Sequence, residues 1–168
     1  MEKRIETERL ILRPLTVDDA PDVFEWVGDP IVNRYMPYSL YENVDQVRTW
    51  ISQIAPEENE FAFVLRESGK VIGAGSIEPN EDCRFELGYN LNRLYWGMGY
   101  ATEAARGMIS WAYEQLGARE FAASHAIANT ASGRVLQKCG FQLDHYGQYG
   151  RFDGSEMFDA AFLTLHLD

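Results

Sequence analysis

The stretch from Phe85 to Leu116 constrains the fold more than any other part of this chain. Phe85, Leu87, Tyr89 and Leu91 alternate with Glu86, Gly88 and Asn90, the period of a strand with one apolar face. From Tyr100 to Leu116, residues Ala101, Ala104, Ala105, Met108, Ala112 and Leu116 recur at helical spacing. That spacing predicts a long helix buried on one side, and Gly117 is its stop. A strand, a glycine-bearing loop and a helix follow each other here, and Phe121 to Ala126 reads as the next strand.

The flanking segments extend this pattern. Arg9 to Pro14 reads as a first strand. Thr16, with Asp19 three residues on, opens a helix whose stripe is Ala20, Val23, Phe24 and Val27, ended by Gly28-Asp29-Pro30. Asn43-Val44-Asp45-Gln46 starts a second helix with the same capping pattern, and Val47, Trp50, Ile51 and Ile54 continue its stripe. Phe61 to Leu65 and Val71 to Ile77 form a hairpin through Ser68-Gly69-Lys70. Asn129 or Thr130 caps a short helix through Lys138, with Gly140 at its end. A strand or turn around Gln142 to Tyr149 precedes a closing strand, Phe158 to Leu167. The order predicts an α/β (α+β) fold in a single domain over residues 1–168. Its mixed, mostly antiparallel sheet has about six or seven strands, with helices on both faces.

The 168 residues suit one domain, and 46% hydrophobic with 13% aromatic content provides for one core. No run has the length of a membrane span, and the first residues lack the apolar stretch of a secretory signal. Cys83 and Cys139 are too isolated for a disulfide framework or a zinc site, so a reducing cytoplasmic location is the default and no metal is expected. The formal charge of −11 repels nucleic acids and anionic lipids and favours cationic partners, or serves solubility alone.

The loop Trp96-Gly97-Met98-Gly99 leads straight into the helix at Tyr100. Amides at a helix start point outward, the helix dipole adds partial positive charge, and glycine lets the backbone approach an anion closely. A nucleoside triphosphate loop needs Gly-Lys-Ser/Thr, whereas Tyr100 and Ala101 follow Gly99. A dinucleotide fingerprint, as in a nucleotide-dependent oxidoreductase, needs glycine or alanine where Thr102 stands. Neither fits, and a glycine turn without a ligand stays open at this point.

Tyr95-Trp96-Gly97-Met98-Gly99-Tyr100-Ala101-Thr102-Glu103-Ala104 resembles the coenzyme A loop of the GNAT (Gcn5-related N-acetyltransferase) family, in particular its RimJ/RimL-like branch. Asn129-Thr130-Ala131-Ser132, with Arg134-Val135-Leu136 and Lys138-Cys139-Gly140-Phe141, resembles that family's second signature. Thr7 to Pro14 is similar to its first strand. The likeness runs from Glu6 to Leu167. It implies acetyl-CoA as cofactor and a primary amine, a polypeptide N-terminus or a small cationic amine, as acceptor. It implies that backbone amides from Trp96 through Gly97, Met98, Gly99, Tyr100 and Ala101 to Thr102 bind the diphosphate, that Asn129 contacts the pantetheine arm, and that the arm lies beside Tyr89 and Leu91. The gap it occupies would be a splay between the strand at Phe85–Leu91 and that at Phe121–Ala126. Members are often dimers, so a homodimer is carried over as an expectation. Met98 departs from a common lysine or arginine, and Arg93 and Leu94 from proline and a polar residue.

Amine acetylation needs a neutral amine, a polarised carbonyl and a leaving thiolate. A lysine-like amine titrates near ~10.4 and an α-amino group near ~8. Glu86 is the candidate base, acting through a water; its alternative is a solvent-facing strand glutamate. Many GNAT enzymes place a tyrosine near the thiol where this chain has Leu136; Ser132, a turn earlier, is the candidate donor to the thiolate or a helix-capping serine. The oxyanion would meet an amide near Tyr89 to Leu91, freed by a bulge. Glu156 and Asp159 are weaker candidates for binding a cationic substrate. Trp26, Tyr35, Tyr38 and Tyr41 are candidates for an acceptor pocket or for packing, and Trp50, Trp111, Cys139 and His125 read as structural. The alternative to an enzyme is a non-catalytic module that holds acyl-CoA.

Overall fold

The computed structural model describes residues 2–168. Eight strands make one sheet in the order β1-β2-β3-β4-β5-β6-β8-β7. They are β1 (Ile5–Glu6), β2 (Leu10–Arg13), β3 (Glu60–Leu65), β4 (Val71–Pro79), β5 (Phe85–Leu91), β6 (Glu120–Ala126), β7 (Gln142–Gly150) and β8 (Met157–His166). Four α-helices complete the chain: α1 (Ala20–Val27), α2 (Val44–Ser52), α3 (Tyr100–Leu116) and α4 (Thr130–Lys138). The eighth strand beyond the expected six or seven is Ile5–Glu6, a two-residue pairing on β2 too short to leave an alternation in the sequence. Gln142–Gly150 is a full strand rather than a turn. All pairings are antiparallel except β5 with β6, as the mixed sheet requires.

Alternation decides which face each residue serves. Phe61, Phe63 and Leu65 of β3 join Leu10 and Leu12 against Ala104, Ala105 and Met108 of α3. Ala62 and Val64 point the other way and pack under Trp26 of α1 and Val47 of α2. The helices therefore cover both faces. Gly73 and Gly75 are small of necessity: a Cβ on Gly75 would stand 2.7 Å from the Phe63 ring.

The capping signals have the predicted positions. The Asp19 carboxylate accepts the Thr16 amide at 2.8 Å and pairs with both guanidinium nitrogens of Arg13, after which a single 3-10 turn leads into α1. Asn43 Oδ1 accepts the Gln46 amide at 2.9 Å, and Gln46 reaches back to the amide of Glu42. The α1–α2 connection is tied to the β7–β8 turn: Arg151 donates to the carbonyls of Arg34 and Met36, and Phe152 N–H donates to Pro37. No helix among the described residues is long and apolar enough to cross a membrane.

Candidate active site

The loop between β5 and α3 is built by its first residues. Asn92 N–H donates to the Ile72 carbonyl at 2.7 Å, and Asn92 Oδ1 accepts the Leu94 amide, which starts a 3-10 turn over Arg93–Tyr95. The Trp96 indole N–H then anchors on the Leu91 carbonyl at 2.9 Å. Gly97 and Gly99 hold φ of +75° and +83°, the left-handed region where a side chain is strained. Through Gly97, Met98, Gly99, Tyr100, Ala101 and Thr102 the amides meet no protein acceptor among the described residues. A Cβ on Gly97 would find nothing within 4 Å. An open run of N–H donors at a helix start fits a diphosphate without any lysine.

Arg9 holds this loop from behind. Its Nη1 donates to the Met98 carbonyl at 2.8 Å, its Nε to Glu103 at 2.7 Å, and its guanidinium lies 4.1 Å above the Tyr100 ring. Burial tends to raise the Glu103 carboxyl, but hydrogen bonds from Thr7 and from the Arg9 amide and guanidinium outweigh it and hold the group below its ordinary range. Arg9 looked like an ordinary strand residue in the sequence. Nothing in local spacing links it to a helix start more than ninety positions away.

The second feature is the splay. β5 pairs with β6 only at Phe85↔Phe121 and Glu86↔Ala122, and beyond these the strands separate. A cavity of about 570 Å³ runs through the separation. Glu78, Glu86 and Tyr35 line it on the α1–α2 face; Tyr89, Asn129 and Ser132 line it on the α4 face. The expected bulge is absent. β5 keeps unbroken register with β4 from Gly73↔Leu91 to Pro79↔Phe85. Divergence from β6 frees the main chain instead. In register with Asn92, the ladder turns the amides of Gly88 and Asn90 toward β4 and those of Leu87, Tyr89 and Leu91 toward the gap. Leu91 N–H is taken by Asn90 Oδ1, which leaves the amide of Tyr89 facing the cavity.

Across the gap, Asn129 Oδ1 caps α4 by accepting the Ser132 amide at 3.4 Å. Its Nδ2 makes no hydrogen bond to another described residue. Because Asn129 does the capping, the Ser132 hydroxyl is not needed for it; Ser132 Oγ instead lies 3.0 Å from the Tyr89 hydroxyl. Burial pushes the Tyr89 phenol up to about 12, against a lowering contribution from Ser132. The sequence marked Tyr89 for its backbone, and the contact of its hydroxyl with Ser132 was missed because the two residues lie on different elements, 43 positions apart.

The family described as an acetyltransferase (GNAT) domain matches residues 9–142. The chain belongs to the GNAT acetyltransferase family. It is 32% identical over 145 residues to an uncharacterized N-acetyltransferase, p20, of Bacillus licheniformis, covering 82% of each chain. Its fold superposes with a TM-score of 0.88 on an acetyltransferase (GNAT family) from Bacillus anthracis, at 23% identity over 97% of this chain and 98% of that one. It superposes with 0.83 on the microcin C7 self-immunity acetyltransferase MccE solved with acetyl-CoA and AMP, at 16% identity over 96% and 94%. The protein is an acyltransferase, and its cofactor is acetyl-CoA.

Of the remaining candidates in this GNAT acetyltransferase, Glu86 and Tyr35 line the cavity and most others do not. Glu86 is exposed on the cavity wall, cross-strand from Glu78. Glu156 is not free for a substrate: it pairs with Arg34 at 3.1 Å and Arg151 at 3.3 Å. Asp159 accepts from Gln148. Tyr35 lines the cavity, and Tyr38 accepts from Asn90 Nδ2 at 2.7 Å. Trp26 is core, Tyr41 packs edge-on to Trp50, and Trp111 packs edge-on to Phe61. His125 bonds the Ala126 carbonyl and packs on Gly133; no metal-binding group of side chains exists among the described residues.

Proposed function

We propose that this chain is a RimJ/RimL-like N-acetyltransferase that transfers acetyl from acetyl-CoA to a primary amine by direct attack on the thioester. The observation that carries the reading is the cavity through the β5–β6 splay. It joins a carboxylate-bearing face to the face of Asn129 and Ser132, and the donor loop opens at the end of the same strand. The motifs of the coenzyme loop and of Asn129–Phe141 support the branch.

Bound acetyl-CoA supplies an acetyl group on a thiol that leaves readily, with a pKa near ~8.5 for an ordinary thiol. The amides from Gly97 to Thr102 hold the diphosphate, and the helix dipole of α3 favours its charge. Asn129 Nδ2 donates to the arm. The Tyr89 amide donates to the carbonyl oxygen as negative charge grows there. Glu86 draws the surplus proton from the amine through a water. Glu78 and Glu86 give the amine's side of the cavity a negative wall, which favours a cationic acceptor such as a polypeptide N-terminus or a small polyamine.

Thiol release measured with acetyl-CoA against a panel of N-terminal peptides, polyamines and aminoglycosides tests this. Turnover with at least one amine class is the expected result. Tight acetyl-CoA binding with no turnover across the panel would leave the non-catalytic module standing instead.

A further inference from the structure

Where many relatives carry a tyrosine on the helix after the asparagine, this chain has Leu136, buried and without a proton to give. A phenol nevertheless stands in the cavity beside Ser132, delivered by β5. Tyr89 Oη lies 3.0 Å from Ser132 Oγ and 3.3 Å from the Ser132 carbonyl. Tyr89 has one proton, so it serves one of these acceptors at a time. When it donates to the carbonyl, its oxygen accepts the Ser132 hydroxyl, whose proton is then held on Tyr89. When it donates to Oγ, the serine proton is released to turn outward.

We propose that Tyr89 is a positioning residue that aims the Ser132 hydroxyl at the coenzyme sulfur. The proposal rests on the acetyltransferase reading above and on Ser132 as the candidate donor to the leaving thiolate. As the new C–N bond forms, sulfur departs with the electron pair of the C–S bond. Ser132 O–H donates to it, and Tyr89 O–H swings from the carbonyl to Ser132 Oγ. No proton leaves either hydroxyl. The proton that neutralises the thiolate is the one the amine sheds on becoming an amide, carried by water, so the step balances. The elevated phenol supports this, since a group that keeps its proton well above the thiol range acts as a donor and not as an acid.

The test titrates the thiol of enzyme-bound coenzyme A by the ultraviolet absorbance of its thiolate, in wild type and in Tyr89→Phe, Ser132→Ala and the double variant. Steady-state constants are measured beside it. Wild type should hold the bound thiol below its free value. Tyr89→Phe, which keeps the ring and its packing, should raise it and lower kcat roughly tenfold, the worth of about one good hydrogen bond, with KM for acetyl-CoA little changed. The double variant should match Ser132→Ala, because the two hydroxyls act as one device. A bound thiol that shifts in Ser132→Ala and not in Tyr89→Phe would overturn the role of Tyr89 while leaving that of Ser132. A thiol that shifts in neither would overturn the reading of Ser132 itself.

Discussion

Arg9 and Met98 meet back to front: the guanidinium of the residue just before β2 donates to the loop carbonyl at 2.8 Å from the side opposite the open donors. In a trans peptide the carbonyl and the following N–H point in opposite directions. A carbonyl fixed on Arg9 therefore turns the amide of Gly99 outward, where the diphosphate is expected. The positive charge that Met98 fails to supply stands behind the loop rather than within it. Arg9→Met should weaken acetyl-CoA binding by roughly tenfold, about the loss of one charge-assisted hydrogen bond, with kcat at saturation little altered. Arg9→Lys should recover only part of it, since an ammonium cannot serve Met98 and Glu103 in the planar arrangement of a guanidinium. Calorimetric titration with coenzyme A measures both. Equal affinity in all three proteins would remove Arg9 from the site.

Gly97 separates strain from obstruction. Its φ of +75° and the empty space around its missing Cβ are matched by Gly69 in the β3–β4 turn, at +76° with nothing within 4 Å. Alanine at either should destabilise by about 1 kcal/mol, from the left-handed backbone alone. Only Gly97→Ala should also weaken acetyl-CoA binding, because its methyl group would enter the cradle. Thermal melts and coenzyme titrations on the two variants form a matched pair. Gly99→Val is expected to be harsher, since the Cβ position there already lies 3.3 Å from Arg9 Nη2.

Glu86 and Glu78 stand cross-strand on the cavity wall, so each is a control for the other. If Glu86 receives the amine proton, Glu86→Gln should lower kcat roughly 10²-fold and make the rate depend more steeply on hydroxide. Glu78→Gln should change mainly KM for a cationic acceptor. Burial, first, and repulsion from Glu58 raise the Glu78 carboxyl against the opposing Asn59 amide. A Glu86→Gln pH–rate profile that overlays wild type would assign the proton to water alone.

Most of the scaffold was readable because its signals are local. Phe85 to Leu91 alternates, α3 carries an apolar stripe, and Asn43 and Asn129 cap the helices they precede. The left-handed glycines of the β5–α3 loop were readable for the same reason: Gly97 and Gly99 lie next to the helix start that they precede. What escaped is what depends on chain separation or on register. Arg9 reaches Met98 across the sheet, Tyr89 meets Ser132 across the splay, and Glu156 is occupied by arginines from two different segments. A bulge is one way to free an amide near Tyr89, and β5 has none in its pairing with β4. The structure frees the amide by ending the β5–β6 ladder after Glu86, a fact of strand divergence that no run of residue types encodes.

Glu60 gives the fold a pH dependence, in the same sense as the raised Glu78. It starts β3 on the α1–α2 face, opposite Ser76, and its side chain makes no hydrogen bond or ion pair among the described residues. Burial, with added repulsion from Glu78 and Glu58, raises its carboxyl from 4.5 to about 8. An unfolded chain releases that proton near ~4.3. Between those values the folded state holds a proton that the unfolded state has lost, so the contribution is fully present below the lower value and disappears as pH rises through about 8. Asp19 acts in the opposite sense: burial raises it, but Arg13 and the Thr16 amide lower it further, so its contribution disappears as pH falls. Urea midpoints for wild type should therefore decline from about pH 5 to about pH 9, and Glu60→Gln should flatten that decline and be the more stable protein at the alkaline end. An identical decline in the variant would show that another group holds the proton.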